Sequence, residues 1–551
     1  MTYNVRTRCA PSLNNAFCAS QRWLLALVLG LLVVAGIPYS ASAQTTTIQR
    51  VDSSNPESGG LYGFSVSTDG IDVAVGARRE DTSRGANAGR AYIYTPDAAS
   101  GAWTLNLQTD GSATEANALF GQTVAITNGK AFIGAPFDDN TNPLTGTNGG
   151  SIYRYDNAGS GYQSSTQVDD PAREIGTWFG NGMYTDGTRL AVGAQKGNNG
   201  SGTISVFRLD GPPLAREENT IEAISFQNDQ RFGLSVAVGG NTGAEFVIGG
   251  APLRDRNGGT NVGSVYVYSR RVTDGQWDTY TQISPGDITD RAQFGWAVDW
   301  EGSLNFIDGR RIFISAVLED VPDGQGGTVS DAGTVYVYQI GPTSGTTRLQ
   351  EITAPTLQAA GNFGWAVSHD RSTGALYVGA PGEDVGGVSG AGAVHVYIKD
   401  GSGTWQHERR ITSPDVQSGA AFGQSLSASG DVLVVGAPNQ TVSGNADAGA
   451  AYVYNTVSAL PVELTAFDAT LDGVTARLAW QTASETNNAG FHVEHRLPET
   501  STFADAGFVN GAGTTDEPQS YTLRINELRA GTHAFRLRQV DLDGTEEYSP
   551  T

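Results

Sequence analysis

From about residue 46 to residue 455, short runs of β-branched and aromatic residues alternate with Gly, Asp-Gly and Asn-Gly, the pattern of strands joined by tight turns. The runs keep a fixed order. An aromatic-Gly pair opens one strand, A; a run ending in a Gly-Ala-Pro-like tripeptide makes the next, B; a Tyr-Val-Tyr-like run makes the third, C. The aromatic-Gly pairs are Tyr62-Gly63, Phe120-Gly121, Phe179-Gly180, Phe232-Gly233, Phe294-Gly295, Phe363-Gly364 and Phe422-Gly423, separated by 58, 59, 53, 62, 69 and 59 residues. A fourth strand, D, is clearest where a Gly turn leads into a Trp, at Trp103, Trp277 and Trp405. Such a period holds one four-stranded blade per copy, and seven copies predict an all-β, seven-bladed β-propeller.

The second element reads VGAR at Val75 to Arg78, IGAP at Ile133 to Pro136, VGAQ at Val192 to Gln195 and GGAP at Gly249 to Pro252. It continues as ISAV at Ile314 to Val317, VGAP at Val378 to Pro381 and VGAP at Val435 to Pro438. With the aromatic-Gly pairs and the strands ending at Tyr94, Tyr155, Phe207, Tyr268, Tyr338, Tyr397 and Tyr454, these residues resemble the FG-GAP repeat, a β-propeller repeat also found in integrin α-subunit heads. The resemblance spans roughly residues 46 to 455 and implies a binding or adhesion role outside the cell. The aromatic of each pair is expected to wedge between blades while its Gly permits close backbone approach.

In integrins such repeats often hold calcium in a DxDxDGxxD-like loop between strands A and B. Here those connections read Ser67-Thr68-Asp69-Gly70, Thr127-Asn128-Gly129-Lys130, Thr185-Asp186-Gly187-Thr188 and Ser427-Ala428-Ser429-Gly430-Asp431. They are hairpin turns, too short and oxygen-poor to supply the six to eight ligands calcium takes. His369-Asp370 and Trp300-Glu301 mark longer versions that do not complete the motif, so the family's metal site does not carry over.

The seventh copy lacks a strand D and runs from Tyr454 into Ala459-Leu460-Pro461. Thr47-Ile48-Gln49-Arg50-Val51-Asp52, ahead of the first anchor, resembles Arg409 to Pro414 ahead of Phe422, so residues 46 to 51 are expected to supply the missing outer strand and remove an open edge. The propeller then occupies 44 to 456.

Beyond it the period vanishes. Short alternating runs at Leu460 to Leu464, Arg477 to Trp480, Phe491 to Glu494 and Phe535 to Val540 predict a β-sandwich over 457 to 551. VELTAF, TASETNNAGFHVEH and RLRQVDLDG resemble the fibronectin-III-like module of surface proteins from bacteria that use type IX secretion. In those proteins a sorting domain usually follows, so a chain ending at Thr551, with its final sandwich strand missing, is expected to be a fragment, with a dispensable last strand as the alternative.

At the other end, Arg6, Arg8 and Arg22 precede an uncharged apolar run from Trp23 to Ile37 and the small residues Ala41-Ser42-Ala43. This predicts a secretory signal over 1 to 43, cleaved before Gln44, with a retained anchor as the alternative. Cys9 and Cys18, the two cysteines, both lie in it, so the remaining chain has no thiol for disulfide or metal. Removing three Arg takes the net charge from −23 to −26. So acidic a chain is no candidate for nucleic acid, which selects a basic surface.

A separate acidic recurrence follows strand B: Asp81, Asp139, Asp255, Asp320 and Asp384, with Asn198 and Thr441 at the other two positions and Glu80, Asp138, Glu319 and Glu383 beside four of the five. Either each Asp holds its own loop through backbone amides, or the carboxylates form a ring for a divalent cation such as calcium or for a cationic ligand. Of the histidines, only His492 and His495 are close in sequence, and a strand would place them on opposite faces. No nucleophile elbow or zinc-protease helix is present, so no catalytic residue or cofactor is assigned. Trp296 and Trp365 follow Phe-Gly in adjacent copies; burial between blades is the expected role, and sugar stacking the alternative. The resulting expectation is a monomeric, secreted or surface-attached, non-catalytic binding module for an extracellular protein or polysaccharide. A carbohydrate-active enzyme with channel carboxylates and a structural spacer remain the competing readings.

Overall fold

The computed structural model describes Tyr3–Asn4 and residues 47–548, apart from 98–99, 112–114, 140–147, 158, 160, 172–175, 210–214, 217–219, 224–226, 241–244, 257, 272, 302–309, 341–344, 456–461, 499, 501, 516–518 and 542–545. Among the described residues the regular structure is all strand except for one helical turn at Gly197–Gly200. It divides into two compact units, Thr46–Thr456 and a C-terminal unit from Val457 that also includes Tyr3–Asn4. The expected leader, with Cys9, Cys18 and its cleavage site, otherwise lies outside the described residues.

In the first unit each repeat forms an antiparallel sheet in the order A, B, C, D. Blade 1 is Tyr62–Thr68, Val73–Ala77, Arg90–Pro96 and Trp103–Thr109. The A strands of the next five are Thr123–Thr127, Phe179–Thr185, Val236–Gly239, Phe294–Trp300 and Val367–His369. In blade 3 the D position is taken by two short pieces, Ala215–Arg216 and Ile221–Glu222. Blade 7 is Ser425–Ser429, Val432–Ala437, Ala450–Asn455 and, in the D position, Thr47–Val51. Each A strand touches the next, and the seventh touches the first, so the A strands encircle a central channel.

The motif's glycines fail to tolerate a side chain for two separate reasons. The Gly of each aromatic-Gly pair has a positive φ, +80° at Gly63, where L side chains are strained. The Gly of the GAP-like tripeptide lies under the neighbouring blade: a Cβ on Gly76 would sit 2.1 Å from the Gly121 carbonyl oxygen, and one on Gly436 would sit 2.0 Å from that of Gly63. The anchors are buried, and Phe120 packs among blade 1 residues Ala74, Ala91 and Ile93 as well as its own blade.

The seam between blades 7 and 1 repeats the contacts found elsewhere in the ring. Ser65 Oγ donates to the Gly121 carbonyl at 2.9 Å, and across the seam Ser425 Oγ donates to that of Gly63 at 2.8 Å. Gln49 Nε2 donates to the Trp103 carbonyl at 2.7 Å while its Oε1 accepts from the Trp103 amide at 2.7 Å. Gln350 and Trp405 make the same reciprocal pair between blades 5 and 6 at 2.7 and 2.8 Å. Thr47–Val51 thus behaves as an ordinary D strand, despite lying some 400 residues from its partner in sequence.

In the C-terminal unit one strand, Thr475–Arg496, pairs through its first half with Val462–Asp472 and Gln519–Ile525. Its second half pairs with Ala504–Thr515 and Thr532–Asp541. Trp480 and Phe491, eleven positions apart on that strand, have ring centroids 5.5 Å apart. An extended strand would separate them by roughly 36 Å, so it doubles back and its halves close over a shared core of Leu478, Trp480, Phe491, Val493, Phe535 and Leu537. At the bend the buried Glu485 carboxylate accepts from Thr482 Oγ1, Asn488 Nδ2, the Ala512 amide and Tyr521 Oη at 2.6 to 2.9 Å.

Candidate functional site

The aspartates that follow strand B are tied to their own loops. Oδ1 of Asp81, Asp139, Asp255, Asp320 and Asp384 accepts from the backbone amides of Asn87, Asn148, Asn261, Asp331 and Gly390 at 2.7 to 3.0 Å. In turn the amides of Asp139, Asp255, Asp320 and Asp384 donate to Glu115, Gln227, Thr289 and Gln358 at 2.7 to 3.3 Å, and Asp81 donates to Glu57. Gln417 holds the Thr441 amide in the same way. These partners all stand five residues before an anchor, a recurrence visible in the sequence but not identified there.

Three of the four neighbouring acids bond strand C. Glu80 accepts from Tyr92 Oη at 2.6 Å, Asp138 from Tyr153 Oη at 2.5 Å, and Glu383 bonds His395 Nε2 at 2.7 Å. Glu319 Oε1 accepts from the Thr289 amide, Oε2 finds no partner, and burial pushes the carboxyl up to about 7. Among the described residues, no three His, Cys, Asp or Glu side chains come together as a metal-ligating group.

One mouth of the channel lies at the start of the A strands. The residue after each aromatic-Gly pair stands at that end: Phe64, Gln122, Trp296, Trp365, Leu234 and Gln424, with Asn181 buried. Trp296 and Trp365 meet with centroids 4.8 Å apart and are half-buried, in contrast to the burial expected from their strand position. The register irregularity between Phe294 and Val298 accounts for this, because the anchor turns into the inter-blade core while the next residue turns out of it. Nearby positions in other blades are also aromatic. The Arg78 guanidinium lies 3.5 Å from the centre of Phe64 and donates to Gln122 Oε1 at 3.0 Å; burial pulls its pKa down to about 10. Half-buried Phe137 and Trp178 pack at 4.9 Å, with Lys196 Nζ 5.3 Å from Trp178.

At the far end of the A strands is a cavity of about 400 Å³. Buried Asp299 of blade 5 accepts from Tyr184 Oη of blade 3 at 2.9 Å, from the Trp300 amide at 2.8 Å and from the His369 amide of blade 6 at 2.7 Å. Arg371 donates to the same Tyr184 hydroxyl and lies 4.5 Å from the centre of Trp300. Burial raises the pKa of Asp299, opposed by the nearby Arg371 charge, and lowers that of His369 to about 4. Asp69 and Asp186 also line the cavity, but their carboxylates accept turn amides at 2.7 to 3.1 Å. Tyr184 and Asp299 escaped sequence reading because both stand five residues after an anchor, where the residue type varies from copy to copy, and Arg371 stands eight after its own.

The ring of four-stranded sheets defines a β-propeller. The FG-GAP repeat family model matches residues 46–94 and 405–454, and each match begins with a D strand and continues through the A, B and C strands of the following blade. The chain is thus a β-propeller protein, with FG-GAP repeats matched at those two places. No curated protein sequence matches it.

Similar solved structures include a putative 6-phosphogluconolactonase from Bacteroides uniformis, with 12% identity and a TM-score of 0.41 over 64% of this chain and 85% of that one. The periplasmic gluconolactonase PpgL of Pseudomonas aeruginosa has 12% identity and a TM-score of 0.38 over 66% and 88%. Sqt1 of Saccharomyces cerevisiae has 11% identity and a TM-score of 0.37 over 78% and 94%.

Proposed function

We propose that this protein acts outside the cell, secreted or held at the surface, as a non-catalytic binding module for a glycan or an extracellular protein. The carrying observation is the half-buried Trp296 and Trp365 pair at the channel mouth. Aromatic faces left partly open can stack on apolar faces of a ligand while polar neighbours such as Gln122 and Gln424 satisfy its hydrogen bonds. The repeat aspartates hold their own loops, and Glu80, Asp138 and Glu383 bond strand C, which supports a structural role for them. Calcium is not required by this reading.

A glycan and matrix-protein array tests it. The wild-type chain is expected to retain a defined ligand, and W296A/W365A is expected to lose it at an unchanged thermal midpoint. A blank array, or equal retention by the variant, would overturn the proposal.

A further inference from the structure

We propose that the cavity at the far end of the A strands is a second binding site, taking one small hydroxylated carboxylate, a sugar acid, on the Arg371 guanidinium. The argument starts from a surplus of donors. A guanidinium carries five N–H groups in a planar fork. Arg371 places one on the Tyr184 hydroxyl and makes no ion pair among the described residues. Around it, Ser67, Ser368 and Ser427 each accept a backbone amide from the next blade at 3.1 Å. No described residue accepts their hydroxyl protons, so these too are available to donate into the cavity they line.

The acidic groups there have the opposite status. Asp299 receives three hydrogen bonds, and Asp69 and Asp186 receive the amides of their own turns. Asp69 and Asp186 take those amides on Oδ1 alone, so the free donors gather around Arg371 and the serines, and it is there that an acceptor-rich ligand carrying one carboxylate would be held.

The guanidinium is also positioned. Trp300 lies under it, Tyr184 lies beside it with its centre 5.8 Å away, and Asp299 anchors the Tyr184 hydroxyl. These contacts come from three different blades and converge on the channel. A fixed planar fork favours two parallel bonds to a carboxylate. The three serine hydroxyls suit the ring and hydroxyl oxygens of a sugar acid, and about 400 Å³ falls within the size range of small-molecule sites, roughly 300 to 1,000 Å³.

Titration calorimetry on the full chain tests the assignment with D-galacturonate, D-galactose and sulfate as probes. D-galacturonate is expected to bind once per chain, at least tenfold more tightly than D-galactose or sulfate. Arg371→Gln should weaken it tenfold or more, with Arg371→Lys intermediate; S368A/S427A, which leaves the guanidinium in place, should weaken it several-fold. No heat with D-galacturonate, equal binding of D-galactose, tighter binding of sulfate, or full affinity in Arg371→Gln would each overturn the proposal. If Arg371→Gln does not fold, full affinity in S368A/S427A overturns it instead. W296A/W365A should leave the D-galacturonate heat intact, so this site and the proposed glycan-binding mouth can fail separately.

Discussion

Glu319 is buried with one carboxylate oxygen unpartnered, and its pKa rises from 4.5 to about 7. Between those values the folded chain keeps a proton that the unfolded chain has lost. Stability therefore falls as pH rises through this window and stays lower above it. Glu319→Gln removes the effect: relative to wild type it should gain on the order of 2 kcal/mol at pH 8 and lose that gain at pH 4, as read from urea denaturation at both values. A constant difference would contradict this origin. Gly436 offers a steric test, because its Cβ position lies 2.0 Å from the Gly63 carbonyl oxygen. Gly436→Ala should cost about 1 to 3 kcal/mol or more through overpacking; a neutral result by the same method would mean the seam yields. At this scale the glycines and aspartates were legible because they recur. Glu115, Gln227 and Gln358 were equally periodic, but variation among Glu, Gln and Thr at their position obscured a shared task, holding the next loop by an oxygen.

The element that matters most for closure is Thr47–Val51. Deleting residues 44–52 exposes the outer edge of Ala450–Asn455 and removes Val51 from the seam core together with the Gln49 to Trp103 bonds. The unfolding midpoint of the propeller should fall by many degrees, and an unchanged calorimetric trace would refute the closing role. This strand was legible because its sequence matches another D strand. The strand Thr475–Arg496 was less so: Arg477 to Trp480 and Phe491 to Glu494 read as separate strands, since the intervening polar run gives no alternation to follow. Glu485, which binds that bend through four donors, supplies the missing reason. Glu485→Ala should cost the C-terminal unit about 3 kcal/mol or more, because several buried donors lose their acceptor, and should lower its calorimetric transition. Retention of that transition would show that the bend holds without the carboxylate.

For the whole molecule, periodicity makes the ring legible and conceals the channel. A blade's recurring residues serve its neighbours, as in Ser65 to Gly121 and Ser425 to Gly63. Ligand-facing residues need no such recurrence: Trp296 and Trp365 share a repeat position with Gln122 and Leu234, while Tyr184, Asp299 and Arg371 meet only because the ring brings blades 3, 5 and 6 to one axis. The central functional claim is that this axis binds without catalysing. Its most direct test is to incubate the wild-type chain with the polysaccharide or protein retained on the array and follow ligand length by size-exclusion chromatography. Saturable binding with unchanged ligand length is the predicted result; steady shortening of the ligand, abolished by Asp299→Asn, would contradict it.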